Sequence, residues 1–171
     1  MNVRTIRSTV FAAVTLFLGV PAVAQTHPDL SGTWAIEAAK SDPAPPAAAG
    51  PGNAGRGRGR ANGPTLPPNQ ILIRQTPTDL SIQRGAQTIT YHFDGTETFA
   101  FIQGEVRATA AWDGDKCVIS WKKEFYAGPT KGYVTSSGKD VYSLAGSVLT
   151  EESTTVLPNG TTTSKTVFTK N

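Results

Sequence analysis

From residue 69 to the end of the chain, apolar and polar residues alternate with a period of two, and the alternation is broken at short intervals by Gly, Pro, Asn or Asp. A strand with one dry and one wet face produces this pattern, so each run predicts a half-buried antiparallel strand. The runs fall at 70–76, 80–84, 88–93, 96–102, 105–112, 116–126, 133–144, 147–156 and 161–169, the seventh weakened or bulged at Ser136-Ser137-Gly138. Asp94-Gly95 and Pro158-Asn159-Gly160 are strong tight-turn signals. A further strand is expected at 30–36, opened by Leu30-Ser31-Gly32-Thr33-Trp34, with one helical or turn-like excursion at 37–40.

About ten strands in sequential order, joined by short turns, make a meander. An open meander leaves two unpaired edges, whereas curling until the first strand meets the last removes them. A Greek-key sandwich would need a long crossing connection among the later strands, and none is present. The expected fold is therefore all-β, an up-and-down antiparallel meander closed into a barrel. One connection is long. Residues 43–69 are rich in Pro, Ala and Gly and contain Arg56, Arg58 and Arg60 in alternation with glycine, a composition that buries too little apolar surface to offset its ordering entropy. A disordered loop is expected there, lying across the barrel mouth like a lid.

The alternation selects candidate interior side chains. Tyr91 and Phe93 share one face of their strand, Phe99 and Phe101 are in phase on the next, and Trp121 and Phe125 fall in the row of Cys117 and Ile119, with Lys123 interrupting it. These six aromatics are the candidate lining of a cavity for a small hydrophobic ligand, since such sites are concave and mainly apolar. Trp34 is placed as the barrel floor, an indole large enough to plug one end, and Gly32 lets the backbone pass close to that ring.

The first 24 residues change the charge balance. Arg4 and Arg7 precede an apolar run from Val10 to Val20 and the small residues Ala22-Val23-Ala24, the pattern of a secretory signal peptide cleaved after Ala24. The expected mature domain is 25–171, exported, monomeric and without a transmembrane segment. The 16 basic side chains include those two arginines, so 14 then face 13 acidic ones. Outside Arg56, Arg58 and Arg60 the balance is 11 to 13, which argues against a basic nucleic-acid-binding body. Cys117 is the one cysteine, so no disulfide forms within the chain; in its apolar row it reads as a small core hydrophobe.

Catalytic patterns are sparse. There is no His pair at metal-ligand spacing, no Cys-x-x-Cys and no Gly-x-Ser-x-Gly elbow. Asp113 and Asp115 flank a hairpin glycine and read as turn residues, and Glu151-Glu152 puts adjacent carboxylates on opposite faces of a strand. A non-enzymatic protein with no metal and no cofactor is expected. The alternative to a ligand carrier is a structural or cell-envelope interaction module with a packed barrel.

Gly32-Thr33-Trp34 resembles the Gly-x-Trp opening of lipocalins and related calycin barrels. With Ala39-Lys40-Ser41-Asp42, Trp112-Asp113-Gly114-Asp115-Lys116 and Val141-Tyr142-Ser143-Leu144, it is similar to a group of exported bacterial lipocalin-like proteins. The resemblance implies a ligand-holding barrel, and an arginine near the last strand to cover the tryptophan; this chain offers only Lys165 and Lys170 there.

Overall fold

Alternation is realised as strand almost residue for residue. The computed structural model describes residues 27–43, 65–102, 104–130 and 132–171, so the leader-like segment and most of the Arg-Gly stretch lie outside the described residues. Strands form at Gly32–Ile36 (β1), Gln70–Gln75 (β2), Asp79–Arg84 (β3), Gln87–His92 (β4), Thr98–Phe101 (β5) and Glu105–Asp113 (β6). Lys116–Tyr126 (β7), Tyr133–Ala145 (β8), Val148–Leu157 (β9) and Gly160–Lys170 (β10) complete the set. A single 3-10 turn, Ala38–Lys40, follows β1.

All ten strands belong to one sheet in the order β4-β3-β2-β1-β10-β9-β8-β7-β6-β5, every neighbouring pair antiparallel. First meets last through Trp34 opposite Lys170 and Ile36 opposite Phe168. The two ends of the sheet are β4 and β5, consecutive in the chain. They approach without forming a ladder; the Thr98 hydroxyl donates to the Thr90 carbonyl at 2.8 Å across the seam. The result is a nearly closed meander barrel, compatible with a lipocalin-like fold.

One end of the barrel is plugged. Leu30 and Trp34 are fully buried, and the indole N–H donates to the Leu30 carbonyl at 2.9 Å. The Lys170 ammonium lies 5.5 Å from the centre of the Trp34 ring, so a lysine provides the cover for which an arginine was expected. Gly32 is required here by its backbone: its φ of 150° lies where side-chain-bearing residues are strained, whereas an added Cβ would press, at 2.7 Å, on the flexible outer end of Lys170, which can move aside. Beside this plug His27 stacks on Trp112 with ring centres 4.4 Å apart, and Phe93 packs on the same indole at 5.4 Å.

At the other end, the segment after β1 is tied to β10. The Asp42 N–H donates to the Lys165 carbonyl at 2.8 Å, Lys165 N–H returns a bond to the Asp42 carboxylate at 2.7 Å, and Val167 N–H donates to the Ser41 hydroxyl at 2.9 Å. Past the expected loop segment, the described chain begins again at Thr65, and the Leu66 N–H donates to the Gly85 carbonyl at 3.0 Å.

Two expectations are corrected. β8 carries no bulge at Ser136-Ser137-Gly138, since the ladder to β7 runs unbroken through Lys123↔Ser136, Lys122↔Ser137 and Trp121↔Gly138. The glycine is there for space: an added Cβ would collide with the Thr154 carbonyl and stand 2.6 Å from the Trp121 ring. Phe99 and Phe101 do not line the interior but are 59% and 80% exposed. Their partners across the ladder are Arg107 and Glu105, which places all four on the outer face, while Thr98 and Ala100 take the inward positions opposite Ala108 and Val106. Arg107 sits 4.4 Å over the Phe99 ring and keeps it there.

Candidate functional site

The barrel interior is filled at the plugged end and hollow above it. Ile71, Ile73, Cys117, Ile119, Leu149 and Phe168 pack with Trp34 in the lower core. Toward the mouth two adjoining cavity lobes open, of about 240 and 230 Å³. Val106, Ala108, Trp121 and Lys123 line the first; Ile82, Arg84, Gln87, Ile89, Tyr142 and Glu151 line the second. Tyr91, Ile102 and Asp140 belong to both and so mark their junction. Ile102 is held in place by a tight turn in which its N–H donates to the Gly104 carbonyl at 2.9 Å.

The side chains are brought together by register. Tyr142 of β8 lies opposite Glu151 of β9, and Asp140 opposite Ser153. Arg84 ends the inward row of Leu80 and Ile82 on β3 and crosses the barrel to reach them. One guanidinium nitrogen, Nη2, donates to Glu151 Oε1 at 2.6 Å and to the Tyr142 hydroxyl at 3.1 Å, and that hydroxyl donates to the same carboxylate oxygen at 2.7 Å. The triangle is charge-assisted and shut off from bulk water on the Glu151 side, where the side chain is 12% accessible. Arg84 keeps 46% of its accessibility, and as a cavity-lining residue it has contact with water from within.

Burial pushes the Tyr142 hydroxyl pKa well above its ordinary value, with the Glu151 charge adding to it, so Tyr142 stays a donor across the physiological range. Tyr91 is pushed up to about 12 by burial and then by Asp140. Asp140 is raised too. Burial is the main cause and the nearby Glu151 charge reinforces it, against the lowering effects of the Ser153 hydrogen bond, Arg84 and the Trp121 indole. Burial alone lifts the Cys117 thiol to about 12, which leaves it a core hydrophobe.

Of the six aromatics proposed from sequence, Tyr91 and Trp121 line the hollow part. Phe93 sits in the plugged end against Trp112. Phe125 lies at the rim, in a surface groove with Phe101, Tyr126 and Tyr133, its ring 5.7 Å from the Lys123 ammonium. The polar residues Arg84, Asp140, Tyr142 and Glu151 were missed. A signal for them exists: each stands in phase with buried apolar neighbours, as in Leu80-x-Ile82-x-Arg84, Leu149-x-Glu151 and Asp140-x-Tyr142-x-Leu144. A charge on the dry face of a strand points to an interior partner.

Among the described residues no group of three His, Cys, Asp or Glu side chains is arranged to hold a metal ion, and no helix is long and apolar enough to cross a membrane. No family model matches the chain, and neither the curated proteins nor the solved structures contain a significant match to it.

Proposed function

We propose that this barrel binds a small molecule in the hollow half of its interior and holds it without transforming it. The observation that carries the reading is the pair of adjoining lobes, walled by Tyr91, Trp121, Ile102, Val106 and Ile89 and floored by the Arg84–Tyr142–Glu151 triangle. An apolar cavity of about 150 Å³ already accommodates benzene, so lobes of about 240 and 230 Å³ each have room for one ring with a short substituent. The ligand this lining fits is amphipathic rather than purely hydrophobic, with an apolar body against the aromatic and aliphatic wall and a polar group at the lobes' junction. The leader-like sequence of residues 1–24 supports export, which would place such a carrier outside the cytoplasm.

Native mass spectrometry of the mature protein, purified gently from the exported fraction of its host, tests this. The expected result is a reproducible adduct of small-molecule mass that organic solvent releases with its mass unchanged. A clean apo mass, together with no uptake from a panel of small amphipathic compounds, refutes the reading.

One observation favours a second reading, a surface-interaction module: Phe99, Phe101, Tyr126 and Tyr133 are all more than half exposed. Retained binding to envelope material that is lost on replacing these rings by serine, with no small-molecule adduct, would select it.

A further inference from the structure

Four charged side chains line the two lobes: Arg84, Lys123, Asp140 and Glu151. Arg84 and Glu151 neutralise each other at 2.6 Å. Asp140 receives a hydrogen bond from the Ser153 hydroxyl, yet it has no cation within salt-bridge distance among the described residues. Lys123 shares its lobe but not its level. Asp140 lies opposite Ile119 on β7, and Lys123 is four residues further toward the mouth, roughly 13 Å at strand rise, with its ammonium drawn to the Phe125 ring.

A carboxylate facing a cavity with no cation in contact, and only the more distant, already paired Arg84 to offset it, is costly unless something arrives to pair with it. Two aromatic side chains, Tyr91 and Trp121, line the cavity beside it, and ring faces attract cations once water is displaced. Resting on the small-molecule reading above, we infer that Asp140 anchors a cationic subsite: it takes the protonated amine of a small ligand whose ring or chain lies against Tyr91 and Trp121. The lobe volumes suit one ring with a short amine-bearing arm. Lys123, nearer the mouth, then faces the outer end of the ligand and disfavours a second positive charge there.

Three phenylalkyl probes of similar size and different charge test the assignment: phenethylamine, 2-phenylethanol and 3-phenylpropionate, titrated into the mature protein by calorimetry and by tryptophan fluorescence. Phenethylamine is expected to bind at least tenfold more tightly than either of the others. Asp140→Asn is expected to remove that preference and to leave 2-phenylethanol within about twofold.

A pH series adds a readout that a merely structural aspartate would not give. The groups facing Asp140 are Arg84 from β3, Tyr91 from β4, Lys123 from β7, Tyr142 from β8 and Glu151 from β9. Amine affinity is expected to fall as pH drops and Asp140 takes up a proton, and the Asn variant is expected to flatten that profile. The variant should fold, since burial disfavours the charge it deletes, and an unchanged or higher Tm checks this.

Tighter binding of 3-phenylpropionate, or an amine preference that survives Asp140→Asn, overturns the inference and leaves the carrier reading standing. Binding of none of the three by a protein that also carries no native adduct overturns both.

Discussion

Replacing Arg84 by Met leaves the Glu151 carboxylate in the barrel wall with one hydroxyl for company. Glu151 is 12% accessible and Arg84 is 46% accessible, so the carboxylate is the partner less able to be rescued by water. Breaking a buried pair by removing one member costs about 3–5 kcal/mol. The surviving Tyr142 bond relieves part of that. The expected destabilisation is therefore about 3 kcal/mol at pH 7.

The assay is urea unfolding followed by tryptophan fluorescence. With a slope of about 1–3 kcal/mol per molar urea, the midpoint should move down by about 1–2 M. Glu151→Gln keeps the shape and an acceptor for both donors and should cost about 1 kcal/mol. The decisive measurement is the double variant. Adding Glu151→Gln to Arg84→Met removes the stranded charge, so the double variant should be more stable than Arg84→Met alone, by about 1–2 kcal/mol. A double variant less stable than Arg84→Met would refute the view that these residues act as a charged unit.

Other expectations are simpler to check. Gly138→Ala forces its Cβ against the Thr154 carbonyl and the Trp121 ring, so it should cost about 1–3 kcal/mol and shift the emission spectrum as the indole moves; an unshifted spectrum with unchanged Tm would contradict the packing. Gly32→Ala strains the backbone at a φ of 150° and should cost about 1–3 kcal/mol, whereas Lys170→Met, which keeps the stem, should cost less than about 1 kcal/mol. Cys117, fully buried and lifted to about 12, should resist iodoacetamide at pH 8 in the native protein and react once the chain is unfolded. Modification at the same rate in both states would contradict its burial.

The period of two was enough to read nearly every strand from sequence, because β6 and β7 keep most of their apolar residues on one face over long runs and turn residues punctuate the rest. The phase of a short strand was not. β5 offers Thr98 and Ala100 on one side and Phe99 and Phe101 on the other, and hydrophobicity alone chooses the aromatic side. The choice is reversed by the seam, where Thr98 is needed to bond β4 and Arg107 gives Phe99 a partner outside. The polar part of the site was hidden for a different reason. Arg84 and Glu151 stand 67 residues apart, and which of two strand faces looks inward at each is fixed only when the whole meander has closed. Tyr91 and Trp121 needed only local phase, and they are the two interior candidates that line the cavity.

The seam between β4 and β5 has a mechanical consequence. Ten strands in a fully welded cylinder would be joined by ten ladders, and nine are present among the described residues. A welded tube resists any change of girth, because widening it must stretch a ladder somewhere. A tube slit lengthwise and latched by a single hydroxyl can open or tighten by sliding at the slit while every ladder keeps its bonds. Tyr91 lies on β4 and Ile102 directly follows β5, so the slit runs beside the junction of the two lobes. No ladder at that slit fixes the girth of the hollow half among the described residues, while the plugged end is held by its packed core.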